Sequence, residues 1–166
     1  MELSDLSIKY SVRAIEEADV PAVLKLCLGN PIFYKYCPPI ATADSIRRDM
    51  TALPQGKTLE DKFYLGFWEG DTLVAVMDLI LGFPNADTAF IGFFMVNAAF
   101  QGKGIGSGII SEAFARLSHD FSFVRLGYAK GNPQSRAFWL KQGFIPTGVV
   151  AKEELYDVVI MEKKIN

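Results

Sequence analysis

Residues 95–108 read Met-Val-Asn-Ala-Ala-Phe-Gln-Gly-Lys-Gly-Ile-Gly-Ser-Gly and join a hydrophobic strand pattern to an amphipathic helix pattern through a glycine-dense turn. A turn of this kind aims successive backbone N–H groups at one point, and the helix start adds the positive end of its dipole. Glycine also lets the backbone approach a ligand with no Cβ in the way. The expected occupant is a phosphate-bearing cofactor.

Two common phosphate motifs do not fit. In the dinucleotide fingerprint G-x-G-x-x-G the third glycine falls on Ser107 in one register and Ile109 in the other. The Walker pattern fails because Gly102-Lys103 is followed by Gly104, and Asn97 stands at its first glycine. What remains is Gln101-x-x-Gly104-x-Gly106. A second segment, Asn-Pro-Gln-Ser-Arg-Ala-Phe-Trp-Leu-Lys-Gln-Gly-Phe at 132–144, follows about thirty residues later, leaving room for one helix and one strand. Together the two segments resemble the acyl-CoA loop and the following Asn-to-Gly-Phe segment of the GNAT superfamily of N-acetyltransferases. The resemblance covers most of the chain, with the first sixty residues matching only in outline.

Composition is compatible with that. The 166 residues are 50% hydrophobic and 22% charged, with net charge −2, so the expectation is one globular domain spanning 1–166. No basic block points to nucleic acid. No apolar run approaches ~18 residues and the first residues do not read as a signal peptide, so neither membrane nor secretion is indicated. Two cysteines, Cys27 and Cys37, make no disulfide framework, and a single histidine, His119, makes no metal-ligand spacing. The expectation is a cytoplasmic chain with reduced thiols and no metal.

Periodicity predicts a strand over 8–15 and then a helix capped by Asp19 with Pro21 in its first turn and Val20, Val23, Leu24, Cys27 and Leu28 on one face. Gly29-Asn30-Pro31 stops that helix, and 31–40 reads as an irregular aromatic stretch. A second helix begins at Thr42 or Asp44, with Ile46, Met50 and Leu53 inward. Strands follow at 62–69, 72–82 and 88–96; the second is nearly continuous in apolar residues, which implies burial on both faces. After the glycine loop, Ile105, Ile109, Ile110, Ala113, Phe114 and Leu117 mark a helix. A strand at 121–129, a short helix at 133–142 and two strands between Ile145 and Ile165 complete the chain. Strand count alone supports an α/β chain with a mixed sheet. The resemblance implies more: a mostly antiparallel sheet of six to seven strands, one splayed strand pair and about four helices.

The resemblance also implies acetyl-CoA, bound between strands 88–96 and 121–129. Met95 and Val96 would face the pantetheine arm, and Gln101, Gly102, Lys103, Gly104, Ile105, Gly106 and Ser107 the pyrophosphate. Asn132, Ser135, Phe138, Trp139 and Lys141 would complete the cofactor site. Asn132 also suits a helix cap, since Pro133 follows it. Trp139 stands where many members of the family have a tyrosine that protonates the leaving thiolate, and an indole N–H is not acidic enough for that. Tyr128, Tyr156, a water, or no acid at all are the alternatives. Asp78, a lone carboxylate in an apolar strand, is either the base that deprotonates the amine, the partner of a buried cation, or a bulge residue. Glu60, Asp61, Glu153 and Glu154 are solvated turn residues or substrate contacts.

Phe33, Tyr34 and Tyr36, with Trp68 and Phe94, form either an aromatic wall for the acceptor or part of the core or a dimer interface. The implied partner is an amine on a small molecule or a protein, and a homodimer is left open. The alternative function is a CoA-binding or sensor module without turnover.

Overall fold

A computed structural model describes residues 1–166. Its strands are β1 (Ser11–Ala14), β2 (Lys62–Glu69), β3 (Thr72–Leu81), β4 (Thr88–Val96), β5 (Phe123–Ala129), β6 (Ile145–Lys152) and β7 (Asp157–Lys164). They form one sheet in the order β1-β2-β3-β4-β5-β7-β6. Every neighbouring pair is antiparallel except β4 and β5. The helices are α1 (Val20–Leu28), α2 (Pro31–Tyr36), α3 (Ala43–Thr51), α4 (Ile105–Leu117) and α5 (Pro133–Lys141).

The apolar run of β3 explains the layering. Val74, Ala75 and Met77 enter one core with Ile109, Ala113 and Leu117 of α4 and Trp139 of α5. Leu73 and Val76 enter a second core with Val20, Val23 and Cys27 of α1 and Ile46 of α3. A strand read as buried on both faces is therefore covered by helices on both. No helix is long and apolar enough to cross a membrane.

Local chemistry sets most boundaries. Thr42 Oγ1 accepts from the Ser45 N–H at 3.1 Å and Ser45 Oγ accepts from the Thr42 N–H at 2.9 Å, a reciprocal cap that starts α3. Asn132 Oδ1 accepts from the Gln134 and Ser135 amides at 3.1 and 3.2 Å, and Pro133 fills the first helical position of α5.

Three expectations need correction. Asp19 does not cap α1; its carboxylate takes the Glu16 N–H and the Arg13 guanidinium instead. Leu26, not Leu28, completes the buried face of α1, with Leu28 48% exposed. Residues 31–36 are helical rather than irregular. Pro31 starts that turn with its φ already set, so there are five helices instead of about four.

Candidate active site

The parallel pairing of β4 with β5 covers only Thr88–Ile91 against Phe123–Leu126. Beyond it, β4 stays paired with β3 as far as Val96, and β5 stays paired with β7 as far as Ala129. The facing edges of the two strands thus part company, and a gap opens in the sheet. A bulge marks the parting. Asp78 lies opposite Phe93 and Leu79 opposite Ile91, which leaves Gly92 as the extra residue. A Cβ at Gly92 would lie 2.7 Å from Asp78 Oδ2.

Asp78 itself is held by Lys62, whose Nζ donates to both carboxylate oxygens at 2.7 and 2.8 Å. Both side chains are nearly buried, Asp78 13% and Lys62 2% exposed. Burial raises the Asp78 carboxyl above its ordinary range, and the Lys62 ammonium opposes that rise. Asp78 does not line the gap. The structure places it as the partner of a buried cation beside a bulge, and the base expectation is corrected accordingly.

The gap widens into a cleft of about 810 Å³. One end is framed by the glycine loop. Gly102 and Gly104 both have φ of +75°, the left-handed region where a side chain is strained. None of the N–H groups from Gly102 to Ser107 donates to a protein acceptor, whereas Gln101 N–H donates to Ala98 and Gly108 N–H to Gly104. Six consecutive amides at the start of a thirteen-residue helix are left for an anion. Gly106 is needed for close packing, since a Cβ there would lie 3.2 Å from Val96 Cγ2 and 3.4 Å from Phe138 Cε2.

Gln101 performs a different task from the one its motif suggests. Its Nε2 donates to the Val96 carbonyl at 2.8 Å and to Asn30 Oδ1. Asn30 Nδ2 donates to the same Val96 carbonyl at 3.2 Å and to Leu26 O at 3.0 Å. The end of β4, the glycine loop and the α1–α2 junction meet in this knot, and the Val96 carbonyl already has two donors.

On the other wall, Asn132 is 2% exposed; its Oδ1 caps α5 while its Nδ2 has no protein acceptor. Phe138 stacks on Phe94 with ring centroids 6.1 Å apart, and Trp139 packs against Phe94, Phe138 and Phe144. Ser107 Oγ accepts from Gln142 Nε2 at 2.8 Å, which ties the loop to the end of α5. Tyr128 lines the cleft from β5.

The opposite end is lined by Ile32 and Phe33 of α2, Cys37, Phe93, and Glu153 and Tyr156 from the β6–β7 turn. Phe33 and Phe93 meet edge to face at 5.7 Å. Burial pushes the Cys37 thiol up, against the pull of the Tyr156 hydroxyl beside it. Burial likewise raises the Tyr156 hydroxyl, with Cys37 adding to the effect.

The cleft wall therefore gathers Met95, Val96, Gln101, Gly102, Gly104, Ile105, Gly106, Ser107, Tyr128, Asn132, Ser135, Phe138, Trp139, Lys141 and Phe33. Lys103 is exposed in the loop and lies off the wall. Tyr34 is turned by the helix α2 toward α1, where burial, then the Cys27 thiol, raises its hydroxyl. Tyr36 also lies off the wall, with the Lys35 ammonium 5.4 Å from its ring centroid. Trp68 is in the second core. Asn30, Ile32 and Phe93 were not anticipated. Asn30 precedes a proline and reads as a helix stop; its long-range bonds to Val96 and Gln101 give it a place in the site.

No curated protein matches the chain in sequence. Solved structures share its fold. An acetyltransferase from Thermus thermophilus superposes with a TM-score of 0.74 at 19% identity, covering 95% of this chain and 97% of that one. The Salmonella typhimurium acetyl transferase that modifies the N-terminal serine of ribosomal protein L7/L12 gives 0.73 at 20% identity, covering 97% and 98%. A Vibrio cholerae spermidine N-acetyltransferase, solved with CoA and spermine, gives 0.68 at 18% identity, covering 95% and 96%. The profile of the acetyltransferase (GNAT) family matches residues 33–144, from α2 through the glycine loop to just beyond α5. With that match over most of its length, the chain belongs to the GNAT family of acetyltransferases, whose acetyl donor is acetyl-CoA.

Proposed function

We propose that this chain, acting as one domain over residues 1–166, transfers an acetyl group from acetyl-CoA to a primary amine by direct attack within a ternary complex. The observation that carries the proposal is the row of six unpartnered amides, Gly102 to Ser107, at the mouth of a gap between β4 and β5. Those amides suit a pyrophosphate. The open edges of β4 and β5 and the free Asn132 Nδ2 suit an extended arm with amide groups, and Phe138 and Trp139 flank it.

Acetyl-CoA supplies an acyl group activated as a thioester. The chain has to position the amine, accept its proton and protonate the departing thiol. Glu153 is the only carboxylate on the cleft wall and stands at the acceptor end, so we assign it the amine proton, directly or through water. Tyr128 is the hydroxyl we assign to the departing thiolate, because Trp139 occupies the tyrosine position of the family and its indole N–H is not acidic enough to serve.

Thermal unfolding with acetyl-CoA, CoA, NAD and ATP tests the donor. At ~100 times its dissociation constant acetyl-CoA adds about 2.7 kcal/mol, which raises Tm by roughly 5–10 °C. Free-thiol release across an amine panel then tests turnover. A shift with NAD or ATP but not acetyl-CoA overturns the reading. Trp139 favours one second reading, a CoA-binding module without turnover; a shift with acetyl-CoA and no thiol release with any amine selects it.

A further inference from the structure

The wall of the acceptor end carries a chemistry of its own. Ile32, Phe33 and Phe93 present apolar surface there, and Ile32 is 45% exposed although it lines a cleft. Among all the residues of the cleft wall only Lys141 and Glu153 are charged, and Lys141 belongs to α5 on the cofactor side. Cys37 and Tyr156 add no charge at neutral pH, since burial raises both. The negative fields of Glu153 and of Asp49 in α3 reach both groups, but only Glu153 is on the cleft wall, beside the segment that follows α2. One anionic group beside an aromatic pair matches one cation on an apolar body. A polycation would leave its further ammonium groups against the phenyl and branched aliphatic side chains of a wall that carries no second carboxylate.

We propose that the acceptor is a small monoamine with an aromatic or branched apolar body, its ammonium drawn in by Glu153 and its body laid on Ile32, Phe33 and Phe93. This assignment rests on the acetyltransferase reading above. The same carboxylate that attracts the ammonium takes its proton once the body is seated, so recognition and activation share one group.

The test uses the full chain with saturating acetyl-CoA and compares kcat/KM for 2-phenylethylamine, 3-methylbutylamine, spermidine and a lysine-rich peptide by thiol release. The two apolar monoamines should exceed spermidine and the peptide by about tenfold or more, the worth of one buried aromatic contact. Glu153→Gln should raise KM for 2-phenylethylamine about two- to fivefold, the range of an exposed ion pair, lower kcat because the amide cannot take the amine proton, and leave the KM for acetyl-CoA unchanged. Phe33→Ala risks the fold, because Phe33 also packs against the second core. Ile32 is exposed enough to avoid that risk: Ile32→Asp should lower kcat/KM for 2-phenylethylamine and raise it for spermidine. A preference for spermidine or the peptide, or an unmoved ratio in Ile32→Asp, overturns the acceptor assignment alone. No turnover of any amine by a chain that binds acetyl-CoA selects the module without turnover and overturns this inference with the acetyltransferase reading. Failure to bind acetyl-CoA overturns the acetyltransferase reading and this inference with it.

Discussion

Gly104 and Gly106 lie two residues apart, and glycine serves a different purpose at each. Gly104 precedes α4 with φ 75° and ψ 7°, and a Cβ there would meet nothing within 4 Å. Gly104→Ala therefore clashes with no protein atom, but it forces an L-residue into the left-handed region at a cost of about 1–2 kcal/mol. For a chain of this length that lowers Tm of the unliganded protein by roughly 2–8 °C. Gly106 is helical, and an added Cβ would press on Val96 Cγ2 and Phe138 Cε2 at 3.2 and 3.4 Å. Gly106→Ala regains roughly 0.8–1.0 kcal/mol of helix propensity against that crowding, so its Tm should stay close to wild type. Both changes disturb the row of free amides. Losing one charge-assisted hydrogen bond costs about 1.5–3 kcal/mol, which weakens acetyl-CoA about ten- to a hundredfold. Scanning calorimetry without ligand and titration calorimetry with acetyl-CoA separate the two effects. A Gly104→Ala protein as stable as wild type refutes the strain argument. Unchanged acetyl-CoA affinity in both variants refutes the assignment of the loop.

Trp139→Phe should keep most turnover at saturating substrates, whereas Trp139→Ala, which empties a 7% exposed site among three phenyl rings, should cost about 3–5 kcal/mol of stability in denaturant unfolding. A loss beyond roughly a hundredfold in a folded Trp139→Phe protein contradicts a packing role. Asp78→Ala strands the Lys62 ammonium and should cost about 3–5 kcal/mol, while the paired replacement Lys62→Met with Asp78→Leu should cost less; equal losses contradict a coupled pair. Burial pushes both thiols up, so neither Cys27 nor Cys37 is a thiolate at neutral pH, and the Cys27→Ala/Cys37→Ala protein should remain active. An acetyl adduct on either cysteine in mass spectra after exposure to acetyl-CoA alone contradicts direct attack. Glu112 accepts from the Ser7 hydroxyl at 2.6 Å and the Ile8 N–H at 2.8 Å, and the Ser7 bond holds its carboxyl below the ordinary value of 4.5. A depressed carboxyl stabilises the fold above that value and loses the effect as pH falls through its folded pKa. The Tm deficit of Glu112→Gln should therefore be present at pH 7 and shrink on acidification below 4.5; a deficit that grows instead reverses the sign and contradicts the anchoring role.

The central strands were legible in sequence because each carries its own apolar signature. β3, buried from Leu73 to Ile80, is the clearest case. The helix at Ile105–Leu117 was equally legible from its spacing. Residues 31–36 were not, because three aromatics beside a proline satisfy a loop and a short helix alike, and only packing against the second core decides. The left-handed turns at Gly102 and Gly104 could be read directly, since they lie in the backbone and glycine marks them. The roles of Asp78 and Gln101 could not, because each depends on a partner far away in the chain: Lys62 in one case and Asn30 in the other. The wall around Phe33 and Phe93 draws on three separate segments, 32–37, β4 and the β6–β7 turn, and no one of them announces the others.

The parting of β4 from β5 can be seen as a strand position left vacant between two neighbours that remain paired on their outer sides. A sheet measures such a vacancy in its own units, with successive strands about 4.8 Å apart and edge groups repeating along the chain. An occupant that offers amide N–H and C=O groups along an extended arm completes the sheet as an added strand does, by main-chain hydrogen bonds rather than side-chain fit. Affinity for an occupant of that kind depends on the length and amide content of its arm more than on any single side chain along the gap. Substitutions lining β4 and β5 should be forgiven there as long as the two edges keep their separation, and the Gly92 bulge, backed by the buried Lys62–Asp78 pair, is the element that sets it.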